Sequence, residues 1–217
     1  CEKVVVACKD FTEGGKRLIE FAQLKNTCIN SSQNGYGTEL ASILQAMEEQ
    51  TLIPADQMKA HFWDVFIVDA LLGNFDRHNG NWGILVDEER QTAEIAPVYD
   101  CGSCLYPQLG TQEMEAVLND ESEINRRIHE YPTSAIMDGG AKISYPRFIA
   151  SLQNEDCNQA LERISARIDM ARIETLIQQT PGLLSIQRDF YGIMIRARKE
   201  QILDCGMEQL LRAREQR

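Results

Sequence analysis

A mainly α-helical fold around one small central β-hairpin is what this sequence predicts, on three observations. Apolar residues recur at helical spacing over much of the chain, and almost continuously from Gln112 onward. Two short runs, "WGILV" (82–86) and "AEIAPVY" (93–99), flank the turn "DEERQT" and read as a hairpin. Between Pro54 and Gly73 the chain is apolar nearly all round after Phe62, which predicts a central buried helix.

Taken in order, residues 4–8 are a β-branched run that predicts a short strand, with "DFTEGG" (10–15) as its turn. Polar loop material fills 26–37. Thr38 is placed to cap a helix over 39–49, where Leu40, Ile43, Leu44 and Met47 follow the 3.6-residue period. Pro54 suits the first turn of the next helix and Gly73 its stop. Beyond the hairpin, helices are expected at 112–128, 145–153, 155–168 and 170–179, with a long amphipathic one at 183–205. Breaks fall at "EYPTSAIMDGG" and at Pro181-Gly182, and no internal repeat is visible.

The composition narrows the function. With 43% hydrophobic residues the chain can bury a real core. A formal charge of −11 leaves no broad basic face, so direct nucleic-acid binding is not expected, nor is routine contact with anionic membranes. The most apolar run, "VFIVDALL" (65–72), is too short to span a bilayer and carries Asp69. Seven irregularly spaced cysteines do not form a disulfide framework, so free thiols and a cytoplasmic location are expected. Cys101-x-x-Cys104 lacks a second Cys/His pair for zinc and follows a strand, so neither a metal nor a redox role is assigned to it.

The informative stretch is "LLGNFDRHNGNWGIL" (71–85), where core sequence is interrupted by Asn, Asp, Arg and His and resumes at once. Folding the hairpin pairs residues whose numbers sum to about 178, which brings Asp100 beside the loop that holds Asp76 and Asn81. Two carboxylates and a carboxamide then converge with the spacing Asp76-x4-Asn81-x18-Asp100. Phosphoryl transfer needs a carboxylate near the attacking hydroxyl and oxygen ligands for Mg²⁺, which takes few from protein and the rest from water and nucleotide. Asp76 would be the base or hydroxyl-orienting group, and Asn81 and Asp100 would hold the metal. Singly, each residue has an ordinary reading: Asp76 as a turn former, His78 as a backbone brace, Arg77 as the partner of a surface carboxylate. Asn74 and Asn79 would close the turn, and Trp82 would pack under the hairpin.

"GNFDRHNGNWGIL" with "APVYD" resembles the catalytic and metal-binding motifs of HipA-type serine/threonine kinases, with Asp-x-His-x-x-Asn standing as Asp76, His78 and Asn81 and the later pair as Tyr99-Asp100. The resemblance implies a protein-kinase-like C-terminal lobe that uses ATP and Mg²⁺ to phosphorylate a Ser/Thr hydroxyl of a protein. It also implies that His78, Asn81, Tyr99 and Asp100 lie against nucleotide phosphates and metal, with an antitoxin protein as a further partner. "VVACKDF" is placed like the hinge strand, so residues 1–15 are expected to end an N-terminal lobe and 16–217 to form the helical lobe. No phosphate-covering loop or phosphate-binding lysine precedes the hinge, and "TEGGK" (12–16) follows it. The chain therefore reads as one lobe of a longer kinase. Two other readings stand beside this one: a non-catalytic kinase-like binding module, and a phosphoinositide-type lipid kinase.

Overall fold

The computed structural model describes residues 5, 7–29 and 33–216. As expected, the fold is mainly helical with a small antiparallel sheet. Strand β1 (Lys16–Glu20) runs directly into α1 (Phe21–Cys28), followed by α2 (Leu40–Glu49) and α3 (Ala55–Leu72). Gly73 ends α3 in the left-handed conformation at φ 66°, the backbone that glycine adopts without a Cβ penalty. Strands β2 (Gly83–Asp87) and β3 (Thr92–Ile95) form the hairpin, with Ile84 facing Ile95 within one residue of the expected register.

Several expectations need correction. The sheet has three strands in the order β1-β2-β3, because "KRLIE" pairs antiparallel with β2 and sets Glu20 opposite Gly83. The strand expected at 4–8 is not found: Val5, Ala7 and Cys8 lie outside any strand, and Val4 and Val6 fall outside the described residues. The return strand stops at Ile95, before Pro97, which has no N–H to give the ladder. Thr38 does not cap α2, whose N-cap is Glu39 with no side-chain bond.

Downstream, the single helix expected at 112–128 is two, α4 (Thr111–Leu118) and α5 (Glu121–His129). The Asp120 side chain accepts from Ser122 N and starts the second helix afresh. A short hairpin, β4 (Met137–Asp138) and β5 (Ala141–Lys142), turns at Gly139-Gly140, inside the stretch read only as a break. Then come α6 (Tyr145–Ser151), α7 (Glu155–Ser165), α8 (Met170–Gln179) and α9 (Ser185–Arg198). A π-helical turn (Lys199–Asp204) joins α9 to α10 (Cys205–Glu215), so the last helical stretch runs past 205.

Helix α3 is the centre of the core. Met58, Phe62, Trp63, Phe66, Ile67 and Ala70 are all buried, with Trp63 stacked on Phe148 at 5.5 Å. Trp82 fastens the sheet to this helix: it stacks on Phe21 at 4.0 Å and meets Phe62 at 5.7 Å. The loop between α3 and β2 is thereby pinned at both ends. Among the described residues no helix is long and apolar enough to cross a membrane.

Candidate functional site

The chain leaves α3 at Gly73 and makes a tight polar loop before β2. Asn74 Oδ1 accepts from Asp76 N at 3.1 Å, His78 N donates to Asp76 O at 2.8 Å, and Asn81 N donates to His78 O at 3.0 Å. The Asn81 Nδ2 group donates to Asp76 O at 2.7 Å, which closes the loop across its base. These local bonds explain why Asn, Asp and His fill the loop: each short side chain supplies the backbone with a partner that no helix or ladder provides. The consequence for the site is orientation. Asn81 is buried, and its Oδ1 takes no hydrogen bond among the described residues. The Asp76 carboxylate stays exposed.

Asp100 arrives from the other side. Beyond β3, Ala96 N still bonds Gly83 O at 3.0 Å, and the chain then runs through Tyr99 to Asp100. Tyr99 donates to Gly80 O at 3.1 Å and packs against Phe11 at 5.7 Å. Burial, reinforced by the Glu20 charge, pushes the Tyr99 hydroxyl up to about 12, so it remains a neutral donor at ordinary pH. Asp100 sits at φ +52°, a left-handed backbone uncommon outside glycine, with its carboxylate exposed. Neither the Asp76 nor the Asp100 carboxylate is hydrogen-bonded or ion-paired among the described residues.

Arg77 ties the two halves together. The expectation that it would pair with a surface carboxylate is wrong. It is 5% exposed and makes a two-point ion pair with Asp69 of α3, itself 2% exposed, through Nε–Oδ2 at 3.0 Å and Nη2–Oδ1 at 3.2 Å. Its Nη1 donates to the carbonyls of Asn81 (2.8 Å), Tyr99 (2.6 Å) and Asp100 (3.3 Å). Burial raises the Asp69 carboxyl and Arg77 pulls it back; the same pair holds the guanidinium firmly protonated. One signal for this was present in the sequence. An aspartate inside "VFIVDALL" is a charge that the core must match with a partner.

The remaining site residues sit around this frame. His78 Nδ1 accepts from Gly80 N at 3.0 Å, so the ring braces the loop, and Tyr36 meets it edge-on at 6.5 Å. Tyr36 also donates to Glu20 at 2.9 Å, a contact that sequence reasoning missed because it joins segments far apart in the chain. Asn79 does more than close a turn, donating to the carbonyls of Gly35 and Gly37. Cys101 and Cys104 are both free, and the hydrogen bond from Cys104, with Arg77, lowers the Cys101 thiol to about 6.

Beside Asp100 lies an open groove of about 770 Å³, lined by Phe11, Lys16, Leu85, Val98, Tyr99 and Asp100 among others. That volume suits a nucleotide-sized molecule. A second, polar hollow of about 440 Å³, bordered by Lys59 of α3 and Asp156 of α7, shares no residue with it. Among the described residues no cluster of three or more His, Cys, Asp or Glu could hold a metal unaided. An oxygen-only pair completed by water and a bound nucleotide is the arrangement that suits Mg²⁺.

The model of the HipA-like C-terminal domain family matches residues 15–177. The chain belongs to this family. It is 44% identical over 205 residues to the serine/threonine-protein kinase CtkA of Helicobacter pylori, covering 94% of this chain and 63% of that protein. It therefore spans less than two thirds of the relative's length. The crystal structure of a Helicobacter pylori proinflammatory kinase CtkA superposes with a TM-score of 0.92 at 42% identity, covering 95% of this chain and 75% of that one. The kinase-like fold expected from the HipA-type motifs is thus the fold observed.

Proposed function

We propose that this chain carries the catalytic lobe of a serine/threonine protein kinase that is ATP- and Mg²⁺-dependent. The observation that carries the reading is the pair of exposed, unpaired carboxylates, Asp76 and Asp100, held by one buried framework beside Asn81. A structural carboxylate would be expected to spend its oxygens on a cap or an ion pair. These two do not, whereas Asp69, a few residues away, spends both of its oxygens. In this reading Asp76 orients the acceptor hydroxyl and takes its proton. Asn81 Oδ1 and the Asp100 carboxylate hold the metal. Bound Mg²⁺ supplies charge neutralisation at the transferred phosphoryl group.

His78 and Tyr99 serve the nucleotide side by fixing the Gly80 backbone, from its N–H and its carbonyl respectively. The groove of about 770 Å³ between residues 8–16 and the Tyr99-Asp100 turn receives the nucleotide. That placement treats residues 1–15 as the border with an N-terminal lobe and 16–217 as the catalytic lobe. The similarity to CtkA, a protein kinase by its name, favours a protein acceptor over a lipid one. A cytoplasmic toxin role with an antitoxin partner belongs to the same proposal and rests on the HipA-type resemblance.

The test is phosphate transfer from γ-labelled ATP to a Ser/Thr-containing protein acceptor, using the full-length protein that contains this chain. Asp76→Asn and Asp100→Ala should keep the unfolding profile of the parent and abolish transfer. Undiminished transfer in both variants would sink the assignment. No transfer by the unaltered protein, with nucleotide binding retained, would favour the non-catalytic binding module.

A further inference from the structure

We propose that Arg77, anchored by Asp69, is a positioning residue that sets Asn81 and Asp100 at their working separation before any ligand arrives. The inference rests on the kinase reading for the identity of those two residues, and on geometry alone for the positioning. One guanidinium carries three separate segments. Nε and Nη2 are fixed on the Asp69 carboxylate near the end of α3, and Asn74 Nδ2 donates to the same carboxylate at 2.9 Å. Nη1 then reaches the Asn81 carbonyl at the start of the hairpin and the Tyr99 and Asp100 carbonyls beyond its end. Nη2 also approaches Cys101 Sγ at 3.5 Å.

Three features separate this role from ordinary core pairing. A buried ion pair contributes little net stability compared with apolar side chains of the same volume, so stability gives no reason for these residue types. An apolar replacement, however, leaves three carbonyls without a donor. Lysine keeps the charge opposite Asp69 but concentrates its donors at one point, so it cannot span a carboxylate on one side and carbonyls of two segments on the other. Finally, Asp100 holds a left-handed backbone, which persists only where the surroundings over-determine it. The Arg77 bonds to the carbonyls of Tyr99 and Asp100 supply that constraint.

The experiment uses the full-length protein with three variants: Arg77→Lys, the double variant Asp69→Asn/Arg77→Met, and Asp100→Ala. The double variant removes both buried charges together, so neither is stranded, and it covers the case in which Arg77→Lys fails to fold. ATP is titrated calorimetrically with Mg²⁺ and again with a chelator, and hydrogen exchange is followed at the amides of 99–104. In Arg77→Lys and the double variant, the Mg²⁺-dependent part of ATP affinity should fall by roughly 10- to 100-fold, the range found when outer partners of metal ligands are removed. Metal-free ATP binding should hold, and exchange at 99–104 should quicken while α3 stays protected. Asp100→Ala should lose the metal-dependent part outright with exchange at 99–104 little changed. Parent-like Mg²⁺-dependent affinity and exchange in a folded Arg77 variant would overturn the positioning role. If the unaltered protein shows no Mg²⁺-dependent ATP binding, the kinase reading fails. The exchange data then judge the positioning separately: slow exchange in the variants refutes it, and fast exchange supports it.

Discussion

Replacing Trp82 with alanine is the perturbation that best probes how the hairpin is held to the helical core. The side chain is 6% exposed, stacked on Phe21 with rings 18° apart and packed against Phe62. A buried tryptophan removes about 200 Å² from water, which at about 25 cal/mol per Å² corresponds to ~5 kcal/mol of transfer free energy. Alanine keeps a small part of that and the neighbours relax into some of the space. Measured losses for such truncations run at about 3–5 kcal/mol, and we expect about 4. Against a typical total of about 5–15 kcal/mol, that is a large fraction. For a chain of this size it corresponds to a fall of ~8–16 °C in the melting temperature.

The assay is equilibrium unfolding in urea followed by circular dichroism, with Trp82→Phe alongside. Phenylalanine retains a ring for Phe21 to stack on and should lose only about 1–2 kcal/mol. If Trp82→Ala cost under about 1 kcal/mol, Trp82 would not be the pin, and the site would have to owe its position to the Arg77 bonds alone. The two outcomes differ by more than the error of the extrapolation to zero denaturant.

Three further outcomes are expected. Gly83→Ala should destabilise by about 2 kcal/mol or more, because an added Cβ would lie 2.2 Å from the Ile19 carbonyl oxygen and 3.0 Å from Glu20 Cα, both backbone atoms of β1; thermal unfolding reads it, and a neutral result would mean the two strands are not this close. Burial lowers the His61 pKa, with Asp64 opposing and Arg77 assisting, so the folded state favours the neutral ring; stability should be fully present above about pH 6.5 and fall as the pH drops below it, and His61→Gln should flatten that fall in denaturant titrations at several pH values. Cys157 is buried and its thiol is pushed up to about 12 by that burial, so in native protein at neutral pH it should be alkylated by iodoacetamide far more slowly than the exposed Cys8 and Cys205, as mass spectrometry can check, and early labelling would show α7 opening locally.

The hairpin and α3 were legible because their signals are local: alternation around a turn for one, a first-turn proline and a terminal glycine for the other. The Asp76, Asn81 and Asp100 convergence was legible because a hairpin register converts sequence spacing into proximity. Strand β1 was not, since "KRLIE" is mostly charged and owes its pairing to partners far along the chain, including Lys16 with Glu94 and Arg17 with Glu88. Helix α1 ends in Asn, Thr and Cys, weak helix formers, so its last residues, 26–28, read as loop, and it buries Lys25, whose ammonium donates to Gly37 O. The π-helical turn in the last helical stretch breaks the 3.6 period that the eye follows. Arg77 was misplaced because nothing in a single sequence says whether an arginine next to an exposed aspartate turns outward or inward; only Asp69 inside an apolar run hinted at it.

The contrast between the aspartates bears on why the site is built this way. Asp69 accepts three hydrogen bonds and carries no free oxygen to offer a ligand. Asp76 and Asp100 stand in solvent with their oxygens unspent. A cation ligand must be unspent, yet an unspent carboxylate has nothing of its own to fix its position. The structure meets both demands by acting on the backbone: Asn81 Nδ2 holds the Asp76 carbonyl, and Arg77 holds the carbonyls of Asn81, Tyr99 and Asp100. The side chains are thereby aimed without being occupied. A divalent cation held by Asn81 and Asp100 would bind the folded chain alone, so added Mg²⁺ should raise the melting temperature of the parent and leave that of Asp100→Ala unchanged, a difference read by thermal unfolding with and without the metal.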